Sequence, residues 1–373
     1  MTKEIETSIM IPILNEEKYI EHTVNSVING TENIEDMELL LVDGGSTDNT
    51  LNILQELSDK HQFIKILHNK KREIAPALNL AIKESKGKYI VRMDAHAEFP
   101  KGYVNSLISS LKNMPPDVVN VGGTLETKSM SGKLIGESIA IVSSSKIGVG
   151  NTTFRTEKIE EIRYVETVPF GAYKKDALIS VGCFSENVPT SEDLELGKKI
   201  LASGGKIVMI PNLSFIYFCR EDIRSFIIQH FDNGRCVTKE NRGGIQSFYF
   251  SLKDLFLLLI GTVKEKDNNS TSTSFYKPRH YIPMLFAIYL IVLINLFIFS
   301  KYELMNLISS IPLLIYICIA LIFGLKNSFE RRNALYSISI PTMLMTLHLS
   351  YGFGSIYGIF QLFFPKLKSI KRK

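Results

Sequence analysis

Five polar clusters in this sequence have residue types and spacings suited to group-transfer chemistry. Asp94-Ala95-His96-Ala97-Glu98 follows the apolar run KYIVRM (88–93). A carboxylate and an imidazole two residues apart, just past a strand, can face one cation, and Mg2+ or Mn2+ bridging a diphosphate needs that geometry. The imidazole tilts the choice toward Mn2+, although the same residues would also serve as an ordinary polar loop. Asp43-Gly44-Gly45-Ser46-Thr47-Asp48 follows MELLLV (37–42). Its glycines let the backbone approach a ligand closely. Asp43 can accept from a base or ribose donor or simply close a turn, and Ser46 to Asp48 are expected to cap the next helix. The stretch is not GxGxxG, which argues against a dinucleotide fold.

Pro12-Ile13-Leu14-Asn15-Glu16-Glu17 places further polar groups beyond the run SIMIPIL (8–14). Ser191-Glu192-Asp193-Leu194-Glu195 opens a helix expected to reach about Ala202, with Ser191 as its cap. Acids in a first turn suit the helix dipole; a carboxylate there that faces a cleft can equally take a proton from an acceptor hydroxyl. Gln229-His230-Phe231-Asp232-Asn233-Gly234-Arg235 lies on a basic, aromatic helix that also carries Arg220 and Arg224. That helix could clamp a diphosphate leaving group or lie on a membrane surface.

Positioning these clusters calls for a layered α/β domain. The runs at 8–14, 37–42, 63–67 and 88–93 are short and continuously apolar, and amphipathic stretches such as 16–28 and 50–60 separate them. The alternation predicts a mostly parallel sheet covered on both faces, over residues 1 to about 240. Ligands of such sheets bind beyond the carboxyl ends of the strands, where three of the clusters fall. No internal repeat is visible.

Beyond residue 240 the composition changes. Residues 251–263 read as a short interfacial stretch and 264–280 as a polar linker, so that 241–280 joins two domains. Three apolar runs follow at 282–300, 304–325 and 335–364, and the first two are long enough to cross about 30 Å of hydrocarbon as helices. The third contains Pro341, His348, Gly352 and Gly354 and is expected to turn back. Three crossings from a cytoplasmic head would otherwise place the basic tail outside, against the positive-inside tendency. Residues 281–373 hold 9 Lys/Arg against 2 Asp/Glu, whereas 1–280 hold 34 against 36. The basic balance therefore belongs to the apolar tail, and nucleic acid is not an expected partner. A mean hydropathy of +0.09 argues against both disorder and a purely soluble chain. The first eight residues lack the apolar core of a signal peptide, so the head is expected in the cytoplasm. The four cysteines show no CxxC spacing and are expected as reduced thiols.

Taken in order, Pro12-x-x-Asn15-Glu16, Val42-Asp43-Gly44-Gly45-Ser46-Thr47-Asp48, Asp94-Ala95-His96, Phe170-Gly171-Ala172-Tyr173 and Glu192-Asp193 resemble an inverting family 2 glycosyltransferase of GT-A fold. Within that family they are similar to the ExoA-like succinoglycan glucosyltransferases. The resemblance covers about residues 7–240, and His348–Gly354 matches a tail motif. It implies a GT-A-type mixed, mostly parallel sheet flanked by helices, followed by a membrane-helix region. It implies that Pro12, Asn15, Glu16, Asp43, Arg72 and Asp94 hold the nucleotide, and that Asp94 and His96 hold a divalent cation, Mn2+ or Mg2+. Asp193, with Glu192 beside it, would supply the base, and Gly171, Ala172, Gln229 and Arg235 would meet acceptor or leaving group. The chain lacks Gln-x-x-Arg-Trp, since Gln229 is six residues before Arg235 and Cys236 follows. The expected function is single transfer from a nucleotide-sugar to a lipid-linked saccharide acceptor at a cell membrane, in exopolysaccharide or other surface-glycan synthesis. The alternatives are a processive synthase or an inactive membrane scaffold of the same fold.

Overall fold

The computed structural model describes residues 4–32, 34–186, 192–239 and 278–363. The stretches expected as an interfacial segment (251–263) and as most of the linker, the capping Ser191 and the basic tail from 364 onward lie outside the described residues. Strands run over β1 (Thr7–Ile13), β2 (Met37–Asp43), β3 (Ile64–His68), β4 (Tyr89–Arg92), β5 (Ala97–Glu98), β6 (Val118–Lys128), β7 (Arg163–Tyr164), β8 (Ala172–Lys174) and β9 (Lys206–Phe218). Helices are α1 (Ile20–Gly30), α2 (Thr50–Lys60), α3 (Ile74–Glu84), α4 (Tyr103–Asn113), α5 (Leu134–Ser143), α6 (Lys146–Val149), α7 (Thr153–Thr156), α8 (Lys175–Ser180) and α9 (Glu192–Ala202). They continue with α10 (Ile223–Lys239), α11 (Ile282–Phe299), α12 (Glu303–Glu330) and α13 (Tyr336–Phe363).

The sheet order is β3-β2-β1-β4-β8-β6-β9-β5, with β7 paired to β9. β1, β2, β3 and β4 are mutually parallel, as is the long β6–β9 pair. The antiparallel pairings involve two or three residues each. The sheet is thus mixed, with one parallel part built from the four apolar runs and another from β6 and β9. Register aligns Ile13 with Asp43 and Asp43 with His68, so the loops that follow these strands emerge side by side.

Strand alternation sends neighbouring residues to opposite cores. Ile9, Ile11, Ile13, Leu39, Leu41 and Val91 pack with α1, α2 and α4 on one face. Met10, Leu40, Val42 and Ile90 pack with α3, α8 and α9 on the other. Arg92 follows Ile90 by two and pairs in register with Met10, so it points to the α9 face.

Packing divides the chain elsewhere than at residue 240. One unit comprises Met1–Lys128 and Asn151–Phe218; the other comprises Ser129–Gly150 and Cys219–Lys373. The reason lies in the apolar face of α5. Ile139, Ala140 and Val142 are buried with Phe226 of α10, Ala320 of α12, and Ile340, Met343, Leu344 and Leu347 of α13. The stretch 129–150 and α10 therefore belong to the helical unit, although sequence order placed them in the sheet domain.

In the helical unit, α11 and α12 are long and apolar enough to cross a membrane, with mean hydropathies of 2.6 and 2.5 over 18-residue windows that are mostly exposed. The third run does not turn back within the described residues: α13 is one 28-residue helix. Its glycines serve close packing instead of breaking the helix. A Cβ on Gly354 would lie 2.0 Å from the Phe231 carbonyl, one on Gly234 2.0 Å from that of Tyr351, and one on Gly352 2.3 Å from that of Pro283. Such small residues let helix backbones approach.

Pro312 lies inside α12, where a proline disturbs the helical hydrogen-bond ladder. The Tyr289 hydroxyl fills the gap beside it, donating to Ser309 O at 2.7 Å and accepting from Leu313 N–H at 3.2 Å. Those two backbone groups would otherwise bond each other. Tyr289→Phe should leave the ring packing intact and cost about 1 kcal/mol of stability, the usual effect of losing a hydrogen bond at half-buried groups. Melting of the detergent-solubilised protein measures this; an unchanged midpoint would mean that the helix closes the gap unaided.

Candidate active site

The loops after β1 and β2 are tied to each other by hydrogen bonds. Asn15, at a left-handed φ of +56°, accepts from the Thr47 N–H at 2.8 Å and gives its own N–H to Ser46 Oγ at 2.9 Å. Glu16 N–H donates to Thr50 Oγ1, Asn49 N–H to Glu17 Oε2 and Glu17 N–H to Asp48 Oδ2. The helix α2 starts at Thr50, with Asn49 at its cap, so the expected cap at Ser46 to Asp48 is displaced. Ser46 is used on Asn15, and only Asp48 reaches the helix, accepting from Thr50 N–H. Asp43 is buried and folds back on its own turn, accepting from Gly45 N–H at 2.9 Å and Ser46 N–H at 3.1 Å. Arg72, also left-handed at +58°, brings the loop after β3 to the same place by donating from Nη2 to Gly45 O at 3.1 Å. Pro12, Asn15, Glu16, Asp43 and Arg72 thus meet at one end of the parallel strands.

Glu16 reaches the fourth loop. Its carboxylate lies 3.0 Å from Nδ1 of His96, and Nε2 of the same ring lies 3.0 Å from the Tyr217 hydroxyl. Tyr19 and Tyr217 pack against the imidazole. Burial alone would lower the pKa of His96, but Asp94, Tyr217 and Glu16 together raise it well above its ordinary value. Asp94 Oδ2 stands 3.6 Å from His96 Nε2, and Oδ1 accepts from Ala95 N–H. Two donors at this separation would be able to hold one divalent cation, for which carboxylate oxygen is an ordinary ligand. The imidazole must be neutral to ligate, so a bound cation would take the place of any proton at that nitrogen. Among the described residues no three His, Cys, Asp or Glu groups are so arranged that all could ligate one metal ion. Asp94 and His96 would supply such an ion with two protein donors, and its charge would offset that of a diphosphate.

The base candidates meet a residue to which the motif reading gave no role. Arg92 gives Nη2 to Glu192 Oε1 at 2.6 Å and Nη1 to Asp193 Oδ1. The side chains of Arg92, Glu192 and Asp193 are 5%, 9% and 22% exposed. The guanidinium stands 5.4 Å from the Phe170 ring centroid and 5.7 Å from that of Phe184. Burial pushes Asp193 up to about 7; Glu192 and Asp94 add to the rise, and Arg92 opposes it. Glu195 points elsewhere and pairs with Lys199 of its own helix at 3.2 Å. A signal for Arg92 was present in the sequence, as a charged residue inside an otherwise apolar strand. Tyr217 had none, because it lies 121 residues from the histidine that it touches.

Gly171 and Ala172 lie at the β8 edge. A Cβ on Gly171 would stand 2.5 Å from the Val121 carbonyl, and Gly171 O accepts from Arg92 N–H at 3.0 Å. Their place is thus in the sheet against Arg92. Gln229 and Arg235 lie on α10 of the helical unit, where Arg235 pairs with Asp232 at 2.9 Å. The structure therefore brings Pro12, Asn15, Glu16, Asp43, Arg72, Asp94, His96, Glu192 and Asp193 into the sheet unit and leaves Gln229 and Arg235 in the other.

Residues 8–180 match the family described as Glycosyl transferase family 2. A Methanococcus voltae protein, dolichyl N-acetyl-alpha-D-glucosaminyl phosphate 3-beta-D-2,3-diacetamido-2,3-dideoxy-beta-D-glucuronosyltransferase, is 28% identical over 94% of this chain and 97% of its own. The succinoglycan biosynthesis protein ExoA of Rhizobium meliloti is 28% identical over 61% of this chain and 67% of its own. Among solved structures, the mannosyltransferase PcManGT from Pyrobaculum calidifontis, in complex with GDP-Man and Mn2+, superposes with a TM-score of 0.60 at 16% identity. That superposition covers 97% of this chain and 88% of that one, and the fold shared is GT-A. The family match spans the strands and loops that carry Asn15, Asp43, Asp94 and His96, so over residues 8–180 this chain matches glycosyl transferase family 2.

Proposed function

We propose that this glycosyltransferase moves one sugar from a UDP-linked donor to a lipid-linked saccharide acceptor, with inversion, at the cytoplasmic face of a membrane. The observation that carries the reading is Asp193, a partly open carboxylate with a pKa raised to about 7, in the same unit as the laced loops and close enough to Asp94 to feel its charge. An acceptor hydroxyl gives its proton to Asp193 as its oxygen bonds to the anomeric carbon, and the bond from that carbon to the diphosphate oxygen breaks. A single displacement inverts the centre, so an α-linked donor gives a β-glycoside. Pro12, Asn15, Glu16, Asp43 and Arg72 hold the nucleotide. A divalent cation, Mn2+ or Mg2+, would be held by Asp94 and His96 and would neutralise charge on the departing diphosphate.

The lipid-linked acceptor is supported by the archaeal relative, whose name gives a dolichyl-linked saccharide phosphate as acceptor and whose length this chain matches almost throughout. It is also supported by α11 and α12, which would anchor the enzyme where such an acceptor resides and raise its effective concentration. Surface-glycan synthesis is the process that this chemistry and the succinoglycan relative suggest.

Turnover of UDP- and GDP-sugars with lipid-linked saccharides, metals varied, tests the reading; no transfer from any nucleotide-sugar would overturn it. Asp193→Asn should lower transfer by about 10²–10⁴-fold, the range for loss of a general base. Should it stay active while Glu192→Gln is dead, the base is the neighbouring carboxylate.

The raised pKa makes two further statements. Transfer should rise with pH up to about 7 and then level off, as Asp193 ionises. Its contribution to stability has the opposite sense: it is full below the unfolded carboxyl value, about 3.9, and is lost as pH rises through 7. Asp193→Asn escapes that loss, so at pH 8 it should melt no lower than the parent while being inactive. A lower midpoint with matching loss of activity would mark a structural residue.

Asp94→Ala should abolish transfer, and His96→Asp should retain it with a shifted preference toward Mg2+. Undiminished parental activity in EDTA would remove the cation from this scheme.

A further inference from the structure

We infer that Arg92 is a positioning residue that decides which of two adjacent carboxylates acts as the base, neutralising Glu192 in the interior and holding Asp193 at the open edge. The inference rests on the reading of Asp193 as base. Two carboxylates share one guanidinium here, so one negative charge is matched and the other is left over. The exposures divide the roles: Glu192 is nearly as buried as Arg92 itself, whereas Asp193 is more than twice as open as Glu192. A buried charge needs a partner more than a partly exposed one does, which assigns the internal counter-charge to Glu192 and the working carboxylate to Asp193.

Arg92 is itself fixed on every side. Its backbone N–H is held by Gly171 O at 3.0 Å, strand alternation aims it at α9, and Phe170 and Phe184 stand against its guanidinium. Its Nε has no hydrogen-bond partner among the described residues, so the two terminal nitrogens do all the bonding, one to each carboxylate. A planar fork holds the two bonds at a fixed separation; an ammonium at the same place is a single point charge without that geometry. Arg92 also stands two residues before Asp94 on one rigid strand end. The same backbone therefore sets the positions of the diphosphate side and the base side of the site.

The experiment is steady-state kinetics of the full chain, with kcat and donor KM separated and melting followed in parallel. Arg92→Lys keeps the charge and loses the fork. It should lower kcat by about 10- to 100-fold, as expected for a displaced catalytic group, with donor KM within about threefold and the melting temperature nearly unchanged. Should Arg92→Lys fail to fold, the double variant Arg92→Met/Glu192→Gln removes the matched pair from the interior and leaves only Asp193, the more open carboxylate, without its guanidinium. It should fold, bind UDP like the parent and show the same kcat loss. Parental kcat in whichever of these variants folds would overturn the inference. So would a rise in donor KM at constant kcat, which would make Arg92 a donor-binding residue. Asp193→Asn in the same assay separates the two proposals: if it is fully active the base reading has failed, and if it is dead while Arg92→Lys is parental only the role of Arg92 has.

Discussion

One guanidinium shared by two carboxylates in a nearly dry interior is the constraint on which the sheet unit's site depends. Arg92 comes from β4, and Glu192 and Asp193 open α9, about a hundred residues later. Removing one partner of a buried ion pair costs about 3–5 kcal/mol because it strands the other, so strand and helix cannot slide apart cheaply. The same arrangement leaves one carboxylate in excess. That excess, together with burial, is why Asp193 holds its proton to about neutral pH despite the cation beside it.

Around that pair the loops at the strand ends are held by one another. Asn15 and Arg72 adopt left-handed backbone, which an L-residue leaves readily unless neighbouring contacts hold it. Here the contacts are reciprocal: Asn15 with Ser46 and Thr47, Glu17 with Asp48 and Asn49, Arg72 with Gly45. Glu16 carries the network on to His96 and Tyr217. A surface ordered in this way before a ligand arrives avoids part of the entropy cost of binding.

The helical unit follows a different rule. Its helices meet through glycine, where a single methyl group would strike a backbone carbonyl, and through the buried face that α5 shares with α10 and α13. Where Pro312 interrupts the ladder of α12, a tyrosine hydroxyl from α11 takes up the two freed backbone groups. In a hydrocarbon environment such groups would have few other partners.

Much of this was legible in the sequence because it depends on local pattern. Continuous apolar runs marked four parallel strands to within a residue or so, since a strand buried on both faces has no polar positions. The ordered motifs at their ends identified the family and the residues that gather there. Sequence order also suggested errors, for physical reasons. Gly352 and Gly354 read as helix breakers because glycine is a poor helix former alone, whereas close packing against Phe231 and Pro283 makes glycine the residue that fits. Residues 129–150 and α10 read as parts of the sheet domain because they adjoin it in the chain, but their apolar faces are buried against α13. The sequence by itself determined the strands, the family and the list of chemically able side chains, because these follow from periodicity and residue type. Only the tertiary structure decided that Arg92 divides its charge between Glu192 and Asp193, and that Tyr217 closes on His96, because pairing across a hundred residues depends on which faces the fold brings together.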